Sequence, residues 1–445
     1  MTESASIQWV RHLAVQTLVA AMLIPCLIST PASAQLSYER EPIEYSTTAS
    51  NDPVARLLTR LSVEKQSLSN DEKYGYLSAL LRELDVPVNS QTLVFSKTSL
   101  QRHLISPSNA RAIYFNDETY IAWVPGGEVI EIASTDPMLG TVFYTIAQGP
   151  TNTTGKLVRH NDRCLFCHGS TDTGRVPGLI MQSVYTNADG DRVFPSRSIP
   201  TDPRGPLSGR WAGWYVTGTH GSQSHLGNLM LSSGDEVQPA ETLTTGNITD
   251  LSPWLDVSKY MIPDSDLIAL MVLQHQVSMH NRLTEINHKT RLYQSEVKAV
   301  HNANDNPLSR PPDDRESDED AFVFSQLAER LMDGLLMVDE PLLSDQISGT
   351  SSFTESFQTR GPADPQGRSL RQFDLRTRLF KYRCSYLIYS DSFDAIPDPV
   401  RTRALTRLRT ILSEDSPEPK YSSMSKEERT SILQILDATK PEFRL

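Results

Sequence analysis

Cys164-Leu165-Phe166-Cys167-His168 is the stretch of the 445-residue chain whose residue types and spacing could do chemistry. Two thiols with two residues between them can each form a thioether to one of the two vinyl groups of a single haem. The histidine that follows then lies under the iron as its proximal nitrogen ligand. The thiols could instead pair as a disulfide or act as a thioredoxin-like redox couple, but neither needs the following histidine. A redox couple is also expected where a strand runs into a helix, and here the loop residues Asn161-Asp162-Arg163 precede the motif. A zinc site would need two further ligands, and with no second C-x-x-C these would have to be histidines. The motif occurs once, which points to one haem and away from multi-haem wires and di-haem peroxidases.

At these five residues the chain resembles c-type cytochromes, and the resemblance implies one covalently attached haem c, with Cys164 and Cys167 as the thioether residues and His168 as axial ligand. Residues 111–117, 210–228, 273–276 and 383–390 are also similar to a group of large exported bacterial proteins containing a single-haem cytochrome c domain. That likeness implies haem and export but no particular reaction.

The group facing the iron from the other side decides whether a haem transfers electrons or binds ligands. Residues 210–228 bring together Trp211, Trp214, Tyr215, His220, His225 and four glycines. Aromatic rings can wall a haem, and glycine lets backbone approach a flat cofactor closely. His220 or His225 is therefore a distal candidate, the alternative being that both hydrogen-bond loop backbone. Met230 lies at a suitable distance for a methionine ligand but in a strand-and-loop context, and Met181 reads as core. His275 shares a helix face with Ile268, Met271, Val272 and Met279, which predicts a buried core histidine. Cys384, among apolar and aromatic neighbours, reads as a buried, inert thiol.

The elements that must position these groups alternate in type. The spacing predicts helices within 54–84, strands at 93–95, 112–115, 119–124, 128–133 and 141–146, and short strands at 182–185, 192–194 and 214–217. A long helix capped by Pro263-Asp264-Ser265 is expected to run to about 300, followed by helices at 322–338, 370–392, 398–413 and 425–438, with 344–370 as loop. The fold class is α+β, a strand-rich central haem region between helical ends. The segments are a signal peptide at 1–34, an N-terminal helical part at 35–91, a haem-binding part at 92–300, an acidic linker at 301–320 and a C-terminal helical part at 321–445.

Composition sets the compartment and the class. Arg11 and His12 precede a mainly apolar run at 13–29, and Ala32 and Ala34 stand three and one residues before a cut after 34, the layout of a secretory signal. An uncleaved anchor is the alternative, but the run is short for a bilayer and contains Pro25. The mature chain is expected to be periplasmic or otherwise exported, without a stable membrane span, and without Cys26. With 42 Lys+Arg against 54 Asp+Glu, the net charge of −12 argues against nucleic acid as a partner. The expected function is electron transfer with a periplasmic redox partner; a haem enzyme with an open distal site or a haem-based sensor is the alternative.

Overall fold

Residues 111–147 alternate apolar and polar side chains between turn-forming clusters, and this pattern folds into an antiparallel meander. The computed structural model describes residues 36–149, 155–193, 199–231, 246–303, 317–416 and 418–444. The expected signal segment with Cys26, Phe194 and most of the expected linker lie outside the described residues. The helices α1 (Pro53–Glu64) and α2 (Leu77–Glu83) come first, as the spacing predicts. The meander follows as β1 (Thr92–Val94), β2 (Arg111–Phe115), β3 (Thr119–Trp123), β4 (Val129–Asp136) and β5 (Gly140–Ala147). Its turns are closed by short polar side chains. Asn116 Oδ1 accepts from the amides of Glu118 and Thr119 (3.1 and 2.8 Å), and Asp136 Oδ1 from those of Met138 and Leu139 (2.8 and 2.9 Å).

Two further strands complete a seven-stranded antiparallel sheet. β6 (Leu157–His160), which the alternation does not reveal, pairs with β5 at one edge. The short pair β7 (Gln182–Ser183) and β8 (Ile199–Pro200) is separate, and β9 (Trp214–Tyr215) pairs with β1 at the other edge. Arg192 makes only an isolated bridge to Thr186, closing the turn at 187–191.

The helices that follow are α4 (Leu267–Ala303), α5 (Asp318–Leu335), α6 (Phe353–Gln358), α7 (Asp391–Asp394), α8 (Asp398–Ser413) and α9 (Lys426–Thr439), after the single turn α3 (Leu165–His168). The architecture is α+β, with the sheet in the N-terminal half and helices in the C-terminal half. The described residues from 36 to 444 form one compact unit. Among the described residues no helix is long and apolar enough to cross a membrane.

Four expectations about elements change. Asp266, the residue after the expected Pro263-Asp264-Ser265, caps α4: its Oδ1 accepts from the amides of Ile268 (2.7 Å) and Ala269 (3.1 Å). Ser265 instead accepts from the Leu93 amide and donates to the Tyr215 carbonyl, joining β1 to β9. The acids at 318–320 belong to the first turn of α5, where Ser317 and Asp320 form a capping box and negative charge suits the helix dipole. The segment at 370–392 is not one helix and holds only the 3-10 turn Tyr386–Tyr389 and the start of α7. Its aromatic residues form a small hairpin in which Phe373 stacks on Phe380 (5.6 Å between ring centroids), and Asp374 caps the turn through the amides of Arg376 and Thr377. Helix α6 lies within the stretch expected to be loop.

α4 is buried through most of its length, so its polar side chains must find partners inside. Gln276 donates to the Asn116 carbonyl (2.6 Å), His280 Nε2 to the Asp117 carbonyl (2.7 Å) and His288 Nε2 to the Met138 carbonyl (3.2 Å). Asn287 donates to the Ala395 carbonyl (2.7 Å). One helix thus holds both outer turns of the meander and reaches the C-terminal half. Its start is held by Asp266, whose Oδ2 also accepts from the amides of Thr350 and Ser351 and from the Ser351 hydroxyl.

Two measurements test this arrangement. Asp266→Ala uncaps α4 and leaves the half-buried amides of residues 350 and 351 without an acceptor, so urea unfolding should show a loss of about 2 kcal/mol. Burial holds His280 at a pKa of about 4 and His288 at about 3, the latter helped by the Arg291 charge, against an ordinary 6.5. The unfolded chain therefore takes up protons first as pH falls. Stability should be full above about pH 6.5 and decline from there toward pH 4, by up to about 1.4 kcal/mol per pH unit for each histidine. Urea midpoints at pH 7.5 and pH 5 that coincide would contradict this.

Candidate functional site

Beyond β6 the chain folds back over the sheet and makes the turn α3. The His168 amide donates to the Cys164 carbonyl (2.9 Å), and the Cys167 amide makes a longer bond to the same oxygen (3.3 Å). The helical turn places Cys164, Cys167 and His168 on one cavity wall, with Leu165 buried beneath as its anchor and Phe166 pointing outward at 89% exposure. All three cysteines among the described residues are free thiols. Burial, followed by the charges of Glu131 and Asp162, pushes the Cys164 thiol up to about 11.

The His168 ring is fixed on two sides. It packs against Phe143 of β5, with 4.8 Å between ring centroids. Its Nδ1–H donates to the Gly178 carbonyl (2.9 Å), which leaves Nε2 as the lone-pair nitrogen. Burial lowers the His168 pKa to about 4, keeping the imidazole in the neutral form a metal requires.

The loop that supplies this carbonyl is itself tied down. The Gly178 amide donates to the His168 carbonyl (2.8 Å), and the Thr141 amide donates to the Pro177 carbonyl (3.0 Å). From α4, the Asn281 side chain both accepts from the Leu179 amide (2.9 Å) and donates to the Leu179 carbonyl (2.7 Å). Gly178 must be glycine here, because a Cβ would stand 2.3 Å from Asn281 Oδ1.

The cavity beside these groups has a volume of about 440 Å³, within the ~300–1,000 Å³ range of small-molecule and cofactor sites. One wall is the sheet. Its register places Ile113 opposite Ala122, Ala122 opposite Glu131, Ala133 between Tyr120 and Phe143, and Glu131 opposite Thr145, all on one face. Alanines at 122 and 133 keep the middle of that wall low. Leu179, Ile180, Met181 and Trp214 contribute apolar surface, Leu273 and Val277 come from α4, and Lys97, Arg102 and Arg163 add positive charge. Arg111 and Glu131 pair across β2 and β4 within it (Nη1 to Oε2, 3.2 Å). The set can hold a flat, largely apolar cofactor that takes two thiols and one imidazole.

The structure does not bring His220 or His225 to this cavity; neither lines it. They pack on each other (4.6 Å between ring centroids), and both His220 nitrogens face loop carbonyls, Nδ1 that of Gln223 (2.6 Å) and Nε2 that of Gly246 (2.8 Å). His225 Nδ1 accepts from the Gly227 amide (3.0 Å). Met181, read as core, is buried and lines the cavity, whereas Met230 does not line it. His275 is buried as expected, its Nε2 2.9 Å from the Ser385 hydroxyl. Cys384 is fully buried, and burial raises its thiol to about 12.

Sequence reasoning missed Phe143, Gly178, Asn281, Arg111 and Glu131. Asn281 could have been noticed as an amide in the buried part of a helix. Arg111 and Glu131 become neighbours only through the register of three strands. Among the described residues no group of three or more His, Cys, Asp or Glu converges as a metal cage. No family model matches the chain, and no curated protein and no solved structure is similar to it.

Asn281→Ala should leave the Leu179 amide and carbonyl without their partner and release the Gly178 carbonyl from its place. The expected result is a loss of about 2 kcal/mol in unfolding free energy. In nitrogen-15 spectra of the imidazoles, the Nδ1–H tautomer of His168, predominant in the parent, should give way to a mixture. An unchanged tautomer would show that Asn281 does not position the ring.

Proposed function

We propose that the chain is an exported c-type cytochrome carrying one haem c, attached through Cys164 and Cys167 with His168 as proximal ligand, and that it transfers electrons to or from a periplasmic redox partner. The observation that carries this reading is the convergence of both thiols and a neutral imidazole, its Nε2 left free by the Nδ1 bond to Gly178, on one wall of a single cavity. The residues present fit the group: the walls are mostly apolar, the thiols are unpaired, and the neutral imidazole needs no deprotonation before it can bind a metal. When bound, the haem supplies a one-electron couple at iron. The chain's own residues do the rest. Phe143 and the Gly178 carbonyl orient the imidazole, Asn281 holds that carbonyl, and the sheet wall excludes water.

The test is a haem stain on a denaturing gel after secretion in a host with haem-attachment machinery. The parent should stain, Cys164→Ala and Cys167→Ala should each stain weakly, and the double variant should not stain at all. Stain retained in the double variant would overturn the proposal. His168→Ala should likewise give no covalent haem stain.

A further inference from the structure

We infer that Lys97 and Arg102, on the loop between β1 and β2, form the site for the two carboxylates of the haem in the cavity beside Cys164, Cys167 and His168. The inference rests on the haem reading above and adds which way round the cofactor lies. The chain has a net charge of −12, yet the described walls of this cavity carry four cations, Lys97, Arg102, Arg111 and Arg163, against the one carboxylate of Glu131. Positive charge gathered in a cavity of an acidic protein suits an anionic occupant.

The walls differ in what they offer. The thiols take the two vinyl groups on one edge of a haem, and its two carboxylates leave from the opposite edge. That opposite edge must meet a wall other than α3 and its neighbour Arg163. Leu179, Ile180, Met181 and the two α4 residues Leu273 and Val277 are apolar. On the sheet, Arg111 is already paired with Glu131 (3.2 Å). The loop after β1 remains. Among the described residues no hydrogen bond or ion pair holds the Arg102 side chain. Lys97 Nζ pairs with Asp191 (2.8 Å), which is more than half exposed. Such a solvated pair contributes little, and it leaves the ammonium two further N–H groups to donate.

The loop's backbone is fixed where these side chains leave it. The Lys97 amide donates to the Gly190 carbonyl and the Arg102 amide to the Ser99 carbonyl (3.2 Å each). Between them, buried Gln101 docks on the start of β4. Its Oε1 accepts from the amides of Glu128 (2.7 Å) and Val129 (3.2 Å), and its Nε2 donates to the Val129 carbonyl (3.0 Å). Ser99 Oγ accepts from the Gln101 amide (3.2 Å), and its own hydrogen is left to donate. One wall thus presents an ammonium, a guanidinium and a hydroxyl, all donors to carboxylate oxygens.

The test uses the full-length chain produced without haem-attachment machinery and two iron-free porphyrins: protoporphyrin, with two carboxylates, and its dimethyl ester, with none. Binding is read from porphyrin fluorescence. The parent should hold protoporphyrin about 10-fold more tightly than the ester. Lys97→Gln/Arg102→Gln should erase that preference by weakening protoporphyrin and leaving the ester unchanged, which a collapsed cavity would not do. Arg102→Lys, which keeps the charge, should keep most of it. Equal affinities in the parent, or a preference that survives the double substitution, would overturn the carboxylate site alone. Where the haem-free parent binds neither porphyrin, the haem-loaded protein decides. There the double variant should have a lower midpoint potential than the parent, by more at about pH 8 than at about pH 5.5, because carboxylates without their cations take up protons as pH falls. His103 and Glu128, charged groups beside the loop, are the same in both proteins. Coincident potentials at both pH values, with haem content unchanged, would overturn the site. A parent that binds neither porphyrin and carries no covalent haem would overturn the haem reading as well.

Discussion

The side-chain amide of Asn281 pairs with both backbone groups of Leu179, and the geometry of the candidate site depends on that pairing. The cause is burial. A helix packed on most sides cannot leave an amide unsatisfied, and an Asn can meet a residue's N–H and C=O as a neighbouring strand would. Once Leu179 is held, Gly178 is pressed against the same amide with no room for a side chain, and its carbonyl stands where His168 Nδ1 finds it. The ring orientation, the tautomer and the adjoining stretch of cavity wall through Met181 all follow from one side chain on α4.

That places the burden on how α4 is held. Asp266 fixes its first turn and, through Oδ2, the loop at 350–351. Further along, Gln276 and His280 grip the β2–β3 turn, and His288 the β4–β5 turn. The C-terminal half closes on the β2–β3 turn: Arg371 bonds to Asp117 and lies over the rings of Phe357 and Tyr386 (4.7 and 4.2 Å to the centroids). The sheet wall and the loop bearing Gly178 are thus referred to one rigid rod, and small shifts in the helix would be felt at His168.

Local signals in the sequence carried well. The meander was legible because one face of each strand is apolar and Asn116, Asp136 and their neighbours announce the turns. The C-x-x-C-H segment was legible because its chemistry is contained in five residues. What failed was whatever depended on distant partners. The aromatic run at 370–392 has helical spacing, but Phe373 and Phe380 gain more by stacking across a hairpin. β6 was hidden because its four residues are defined mainly by the edge of β5 they join. His220 and His225 looked available in a glycine-rich stretch, yet the same loop that makes glycine useful also offers the carbonyls that occupy His220.

The sheet wall also bears on what the cavity is for. An electron carrier needs its cofactor shielded and its axial ligand fixed, and apolar residues at 111 and 131 would serve that as well as the charged pair. A half-buried ion pair such as this one is a weak source of stability. Leaving one donor and one acceptor of that pair open adds a further cost. Packing therefore gives no reason for Arg111 and Glu131 to face the cavity in this state.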